Sequence, residues 1–196
     1  MTPCSVVVGV TGASGAAIAL RIIERLAAMK SVEIHLVLSP SARRTVLHEE
    51  GAEGMGRMLS LASVNHAVDD IGAAIASGSF PTTGMIVAPC SMRTLAAIAT
   101  GLSDNLINRA ADVHLKERRK LVLMTRETPL HLIHLRNMCA VTEAGAIVMP
   151  PVPAFYNRPQ NVLDIVDQLA ARAIDQLGIA PAPQAPIWQP HVVKTP

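Results

Sequence analysis

Residues 9–26 read GVTGASGAAIALRIIERL. An apolar run is interrupted by Gly9, Gly12 and Gly15 and then resumes with a new period. The stretch just before, SVVVGV (5–10), is β-branched, unbroken and closed by glycine, the pattern of a strand buried on both faces. After the glycines, Ile18, Ile22 and Leu26 recur every four residues, so 15–29 reads as a helix with one face in a core. A buried strand, a glycine turn and an amphipathic helix form the opening of a parallel α/β unit.

The same alternation continues outward. VEIHLVLS (32–39) is a second strand. Pro40 stands where a helix begins, and SARRTVLHEEG (41–51) is that helix, ended by Gly51. Residues 52–83 lack a clear period: LASVNHAV has some strand character, and SGSFPTTG is a loop. MIVAPC (85–90) is a strand, 92–100 and 103–118 are helices, and LVLMTR (121–126) is a strand. A helix follows at 129–144, then a strand at GAIVMPP (145–151), the loop PAFYNRP and an amphipathic helix at 159–177. The expected fold is α/β, a Rossmann-like three-layer α/β/α arrangement with a mostly parallel sheet. Residues 1–179 are expected to form one domain. Prolines at 181, 183, 186, 190 and 196 make 180–196 an extended arm.

Composition narrows the function. The 196 residues are 50% hydrophobic and 16% charged, which fits a packed core and excludes a disordered chain. A net charge of +2 gives no electrostatic basis for binding nucleic acid or a charged membrane surface. No apolar run reaches the length of a membrane span, and the basic start of a signal peptide is missing. Three unspaced cysteines, Cys4, Cys90 and Cys139, point to reduced thiols and a cytoplasmic setting. Aromatic side chains are scarce: Phe80, Phe155, Tyr156 and Trp188 are all there are.

Parallel sheets bind ligands beyond the carboxyl ends of their strands, so the loops after residues 10, 38, 89, 125 and 150 matter most. TGASG is spaced G-x-x-G-x-x-G and carries no G-K-[ST], so it is neither a dinucleotide fingerprint nor a nucleotide-triphosphate loop. It still leads into a helix N-terminus, which favours an anion, and Ser14 adds a hydroxyl. The alternative is a turn that needs glycine for packing. Ser39 either caps the next helix or binds a ligand. In APCSMRT, Ser91 and Thr94 begin a helix aimed at the same crevice, and two such helix starts suit a phosphorylated cofactor. Cys90 reads as a buried structural thiol. Arg126 and Glu127 follow a buried strand directly, a place for an ion pair or for acid–base work. Glu49, taken alone, is a helix-end carboxylate. Arg172 flanks the apolar face of its helix and either snorkels or holds a phosphate. Arg109 and Lys116 share one helical face, turned to an anion or to a neighbouring subunit. In HLIH (131–134) two histidines lie on one helix without a third ligand in range, so no metal site is expected.

Three blocks carry a resemblance: GVTGASGA, then APCSMRTLAAIATGLSDNLINRAADVHLKERRKLVLMTRETPLHLIHLRNM, then GAIVMPPVPAFYNRPQ. Over residues 5–179 the chain closely resembles the UbiX-type flavin prenyltransferases. That resemblance implies a dodecamer with sites shared between subunits. It implies transfer of a dimethylallyl group from dimethylallyl phosphate to reduced FMN, and delivery of prenylated FMN to a UbiD-type decarboxylase. It further implies that Gly12, Ala13, Ser14, Ser39, Ser91, Met92, Arg93, Thr94 and Arg126 contact FMN. Tyr156 and Arg172 would hold the prenyl phosphate, with Lys116 and Arg109 nearby. Glu49 and Glu127 fall at positions of proton transfer, with Ser14 beside the chemistry, and Trp188 falls near a tail tryptophan bordering the prenyl pocket. A metal is not needed if arginine and lysine stabilise the leaving phosphate. Tyr156 and Trp188 offer π-faces to a developing allylic cation. Two other readings use the same fold. One is an FMN-dependent decarboxylase, for which His48 is the only nearby histidine. The other is a non-catalytic FMN-binding subunit of a decarboxylase.

Overall fold

A computed structural model of the chain describes residues 4–188. In chain order the elements are β1 (Cys4–Val10), α1 (Ala16–Ala28), β2 (Val32–Leu38), α2 (Pro40–Glu49), α3 (Gly51–Leu61), β3 (Val64–His66), β4 (Gly84–Cys90), α4 (Met92–Ala99), α5 (Leu106–Lys116), β5 (Lys120–Thr125), α6 (Leu132–Glu143), β6 (Ile147–Val148) and α7 (Val162–Leu177). The six strands form one parallel sheet in the order β3-β2-β1-β4-β5-β6. The chain lays down β1, β2 and β3 in one direction, then returns to place β4 on the other side of β1. That reversal opens a crevice between the carboxyl ends of β1 and β4.

Helices cover both faces. Val6, Val8 and Val10 of β1 face α1, α2, α3 and α7, whereas Val7 faces the layer of α4, α5 and α6. Ile22, Ile23 and Leu26 of α1 are wholly buried, each contributing roughly 2 kcal/mol of transfer free energy. The expected α/β/α layering is therefore present, with three local differences. The first is α3, which follows α2 directly across Gly51 at φ +68. Gly51, Gly54 and Gly56 lower intrinsic helix propensity, and burial of Met55 and Met58 in the core supplies what propensity lacks. The second is β6, which keeps only two residues of the expected seven, because Pro150 and Pro151 cannot extend a ladder. The third is α6, which begins at Leu132 rather than at 129. His131 caps it, its Nδ1 accepting from the Ile133 N–H at 3.2 Å, while its ring stacks on His134 at 3.5 Å. The HLIH pair is thus a helix start, and no group of three His, Cys, Asp or Glu that would hold a metal is found among the described residues.

The start of the tail packs back on α7, where the Asp175 carboxylate accepts from the N–H groups of Gln184 at 2.6 Å and Ala185 at 3.0 Å. Pro190 and Pro196 of the expected arm lie outside the described residues. Among those described, no helix is long and apolar enough to cross a membrane.

Helices α1 and α7 are clamped by charge. Asp167 accepts from Arg25 Nε at 2.9 Å and Nη2 at 2.7 Å, and from Arg21 Nε at 2.6 Å. The hydrogen bonds from Arg25, then those from Arg21, hold the Asp167 carboxyl below its ordinary value. A carboxyl lowered on folding stabilises the fold above the unfolded value near 4, and that stability is lost as pH falls through the lower folded value. Asp167→Asn is expected to cost about 1 kcal/mol at pH 7, a figure reduced for the partial exposure of the carboxylate. Urea unfolding at pH 7 and pH 3.5 checks this: the gap between the variant and the parent should narrow at the lower pH.

Candidate active site

The three glycines of the opening stretch serve three different purposes. A side chain at Gly9 would meet Ile107 Cγ2 at 3.1 Å, so this glycine lets α5 lie close on the sheet. A Cβ at Gly12 would collide with Ser41, so this glycine admits the first turn of α2. Gly15 has φ +116, a backbone conformation that side chains disfavour, and it turns the chain into α1.

The N-terminus of α1 already carries a carboxylate. Glu49 Oε2 accepts from the N–H of Gly15 at 2.9 Å and of Ala16 at 2.7 Å. Burial pushes this carboxyl up, but the N–H groups of Ala16 and Gly15, the Ser14 hydroxyl and the charge of Arg126 together hold it below its ordinary value. The chain therefore supplies its own anion to the Gly15 and Ala16 amides at the first helix start. Ser14, Glu49 and Arg126 form one cluster at the carboxyl edge of the sheet. Glu50 behaves in the opposite way: burial, with Glu49 and Glu24 nearby, raises its carboxyl.

The helix starts of α2 and α4 meet at the crevice instead. Ser39 Oγ accepts from Ala42 N at 3.0 Å and Ser91 Oγ from Thr94 N at 3.4 Å, so both serines cap their helices. Helix geometry leaves the N–H groups of Ser41, Met92 and Arg93 without partners among the described residues. A cleft of about 520 Å³ opens there. Its walls include Gly12, Ser39, Ser41, Ser91, Arg93 and Thr94, with Val68 and Ile107 as apolar surface and Asp69, Asp104 and Asn105 at the far side. Arg93 pairs with Asp104 at 2.7 Å. Of the expected flavin contacts, Gly12, Ser39, Ser91, Arg93 and Thr94 thus line one cleft. Ala13, Ser14, Met92 and Arg126 lie beside it in sequence or through Glu49.

Thr11 is the residue that motif reading passed over. It is 2% exposed; its hydroxyl donates to the Pro89 carbonyl at 2.6 Å and accepts from the Ser91 N–H at 2.8 Å. It ties the first loop to the third across the switch point. Its place as the first residue after β1 was the available signal. Cys90 is fully buried, and burial pushes its thiol up to about 12, as expected of a structural cysteine.

The residues expected at the prenyl phosphate are not gathered in the same way. Tyr156 meets Trp188 edge-on at 5.2 Å, and both are exposed. Arg172 lies farther along α7, lining a cleft with Asp175 and the start of the tail, and makes no ion pair among the described residues. Arg109 donates to the Ala76 carbonyl at 3.1 Å and pairs with Asp112 at 2.6 Å. Lys116 pairs with Glu117 at the end of α5, at the amino edge of the sheet and away from the cleft. Glu127 is exposed, its carboxylate accepting only from the Thr128 N–H at 3.0 Å among the described residues.

The surface carries a second message. Helix α6 is apolar, yet only Val141 is buried, while Leu132, Ile133 and Leu135 are 59%, 63% and 46% exposed. Phe155, Val162 and Leu163 are exposed as well. Apolar patches of this extent mark contact surfaces.

Residues 1–173 match the flavoprotein family. A flavin prenyltransferase UbiX of Thauera aromatica is 52% identical over 174 residues, covering 89% of each chain. A solved structure of AnUbiX (PadA1) in complex with FMN and dimethylallyl pyrophosphate has a TM-score of 0.89 at 44% identity, covering 96% of this chain and 98% of that one. A dodecameric FMN-dependent UbiX-like decarboxylase from Escherichia coli O157:H7 gives a TM-score of 0.90 at 48% identity, over 95% of this chain and all of that one. A glycine turn capped from within, two serine-capped helix starts at one cleft and these likenesses converge: the chain belongs to the flavoprotein family, and within it to the UbiX-type flavin prenyltransferases.

Proposed function

We infer that this chain is a flavin prenyltransferase, joining a dimethylallyl group from a dimethylallyl phosphate ester to reduced FMN. The observation that carries the reading is the switch-point cleft, lined by Ser41 and Arg93 with their unpaired backbone N–H groups and with Met92 beside them, a space suited to one phosphorylated cofactor. Backbone donors and a guanidinium suit a phosphate, and Val68 and Ile107 give a ring system an apolar wall. FMN supplies the electron-rich acceptor when it is reduced and bound.

The chain's own residues bind, orient and exclude water. Ser41, Met92 and Arg93 offer N–H groups to the flavin phosphate, while Ser39, Ser91 and Thr94 fix the walls. Glu49, held by Gly15 and Ala16, keeps the Ser14 hydroxyl oriented and balances Arg126. Departure of the prenyl phosphate develops negative charge on oxygen, which Arg172, Lys116 and Arg109 are assigned to stabilise without metal. Tyr156 and Trp188 turn π-faces to the allylic cation. Glu127, or the departing phosphate, takes the proton released on ring closure. Lys116 lies at the amino edge of its own sheet, so a shared phosphate site draws residues from neighbouring copies. The exposed apolar faces of α6 and of 155–163 supply the contacts for a homo-oligomer, a dodecamer by analogy with the E. coli structure. We assign the product to a UbiD-type decarboxylase, the setting to the cytoplasm, and the chain to one domain over 1–179 with an arm over 180–196.

The deciding experiment mixes protein, reduced FMN and dimethylallyl phosphate or pyrophosphate anaerobically and weighs the flavin by mass spectrometry. A gain of one prenyl unit is expected; unchanged flavin on an FMN-loaded protein returns the reading to a binding subunit. Tyr156→Phe and Arg172→Ala should lower prenyl transfer at least tenfold while FMN stays bound. Gly12→Ala should push α2 away and weaken FMN binding about tenfold, read by quenching of flavin fluorescence. Ile133→Glu should break the assembly into smaller species, seen by light scattering after size exclusion.

A further inference from the structure

Beside the flavin cleft, two histidines meet where no sequence motif pointed. β3 pairs with β2 in a register that sets His35 opposite Val64 and Val37 opposite His66, so all four side chains share one face. His35 is 3% exposed, and its Nδ1 lies 3.0 Å from His66 Nε2. The rings stack at 5.3 Å, and Phe80 closes the other side of His35 edge-on at 5.3 Å. β3 is an edge strand of only three residues, too short to hold itself. Two residues beyond His66 the chain reaches Val68, whose carbonyl accepts from the Leu106 N–H at the start of α5 at 2.7 Å. Val68 and Asp69 line the cleft.

We propose that His35 and His66 are positioning residues for the flavin cleft: their mutual hydrogen bond docks β3 and so sets the Val68–Asp69 wall. The proposal rests on the flavin reading of that cleft. One proton between the facing nitrogens makes the bond, and either tautomer serves. Two protons put N–H against N–H and two cations on stacked rings, so the clasp opens when both rings are charged. Two carboxylates act on the pair, and one guanidinium lies behind Phe80. Glu33 on β2 stands 3.7 Å from His35 Nε2, Asp70 follows β3, and Arg119 holds the carbonyl of Phe80. Of the cleft carboxylates, Asp69 follows β3 and Asp104 precedes α5. Burial lowers both imidazoles, more than Glu33 and Asp70 restore. Groups lowered in this way favour the clasped state above the unfolded value near 6.5 and release it as pH falls through the lower folded value.

Two readouts test the clasp at pH 7.5 and 5.5. One is amide exchange at Leu106 in FMN-free protein, corrected for intrinsic exchange. The other is FMN affinity by fluorescence quenching. His66→Ala should speed Leu106 exchange and weaken FMN binding, each about fivefold, at both pH values. The parent should move toward it only as pH falls from 7.5 to 5.5, and His66→Ala should show no such movement. His66→Gln, which keeps a hydrogen-bonding amide and cannot be charged, should hold the parent's pH 7.5 values at both. Unchanged Leu106 exchange in His66→Ala, or the parent's pH response persisting in His66→Gln, overturns the proposal. If the parent binds no FMN at all, the flavin reading fails, and Leu106 exchange still judges the clasp.

Discussion

The buried hydroxyl of Thr11 joins the two halves of this molecule. A sheet wound in two directions from its centre has a seam where neighbouring strands diverge, and beyond β1 one backbone bond, from the Thr11 N–H to the Pro89 carbonyl at 3.3 Å, crosses it. The Thr11 hydroxyl adds to it by donating to Pro89 and accepting from Ser91 in the same seam. Because Ser91 caps α4, this one side chain sets the distance between the glycine turn and the helix that faces it.

Each helix start around the seam is treated differently, and the differences divide the labour of the site. α1 receives an internal carboxylate, so its positive end is neutralised before any ligand arrives. α2 and α4 receive neutral serine caps, which satisfy one N–H each and leave others exposed. Free helix amides are therefore found at the second and third loops rather than at the Gly15–Ala16 turn of the first. Gly12 still serves the cleft by admitting Ser41 to its wall. The thiol of Cys90, pushed up to about 12 by burial, packs in the core beneath the α4 layer.

One chain leaves part of its apolar surface open. The aromatic pair Tyr156 and Trp188 stands in the open, and an apolar helix lies uncovered on the surface. A carbocation needs a dry enclosure, and the exposed apolar faces are what another copy would cover to provide it. Assembly and catalysis then have a common cause in the same hydrophobic surface.

Much of this was legible from the residues. Continuous β-branched runs alternating with four-residue apolar spacing have few solutions other than a parallel sheet between two helical layers, and the strand ends named the loops that matter. Ser39, Ser91 and Thr94 were readable as helix starts because capping is a local property. The helix of Gly51–Leu61 was not, since its glycines argue against it and only burial of Met55 and Met58 argues for it. The histidine clasp was also hidden, because its partners lie 31 residues apart and meet only through strand register. Glu49 looked like a solvated helix end until folding brought it onto amides 33 and 34 positions away. Local order, periodicity and caps belong to the sequence because they act between near neighbours. Which carboxylate fills which helix end, and which loop is left for the ligand, belongs to the tertiary structure, because those choices are made by groups that are neighbours only in space.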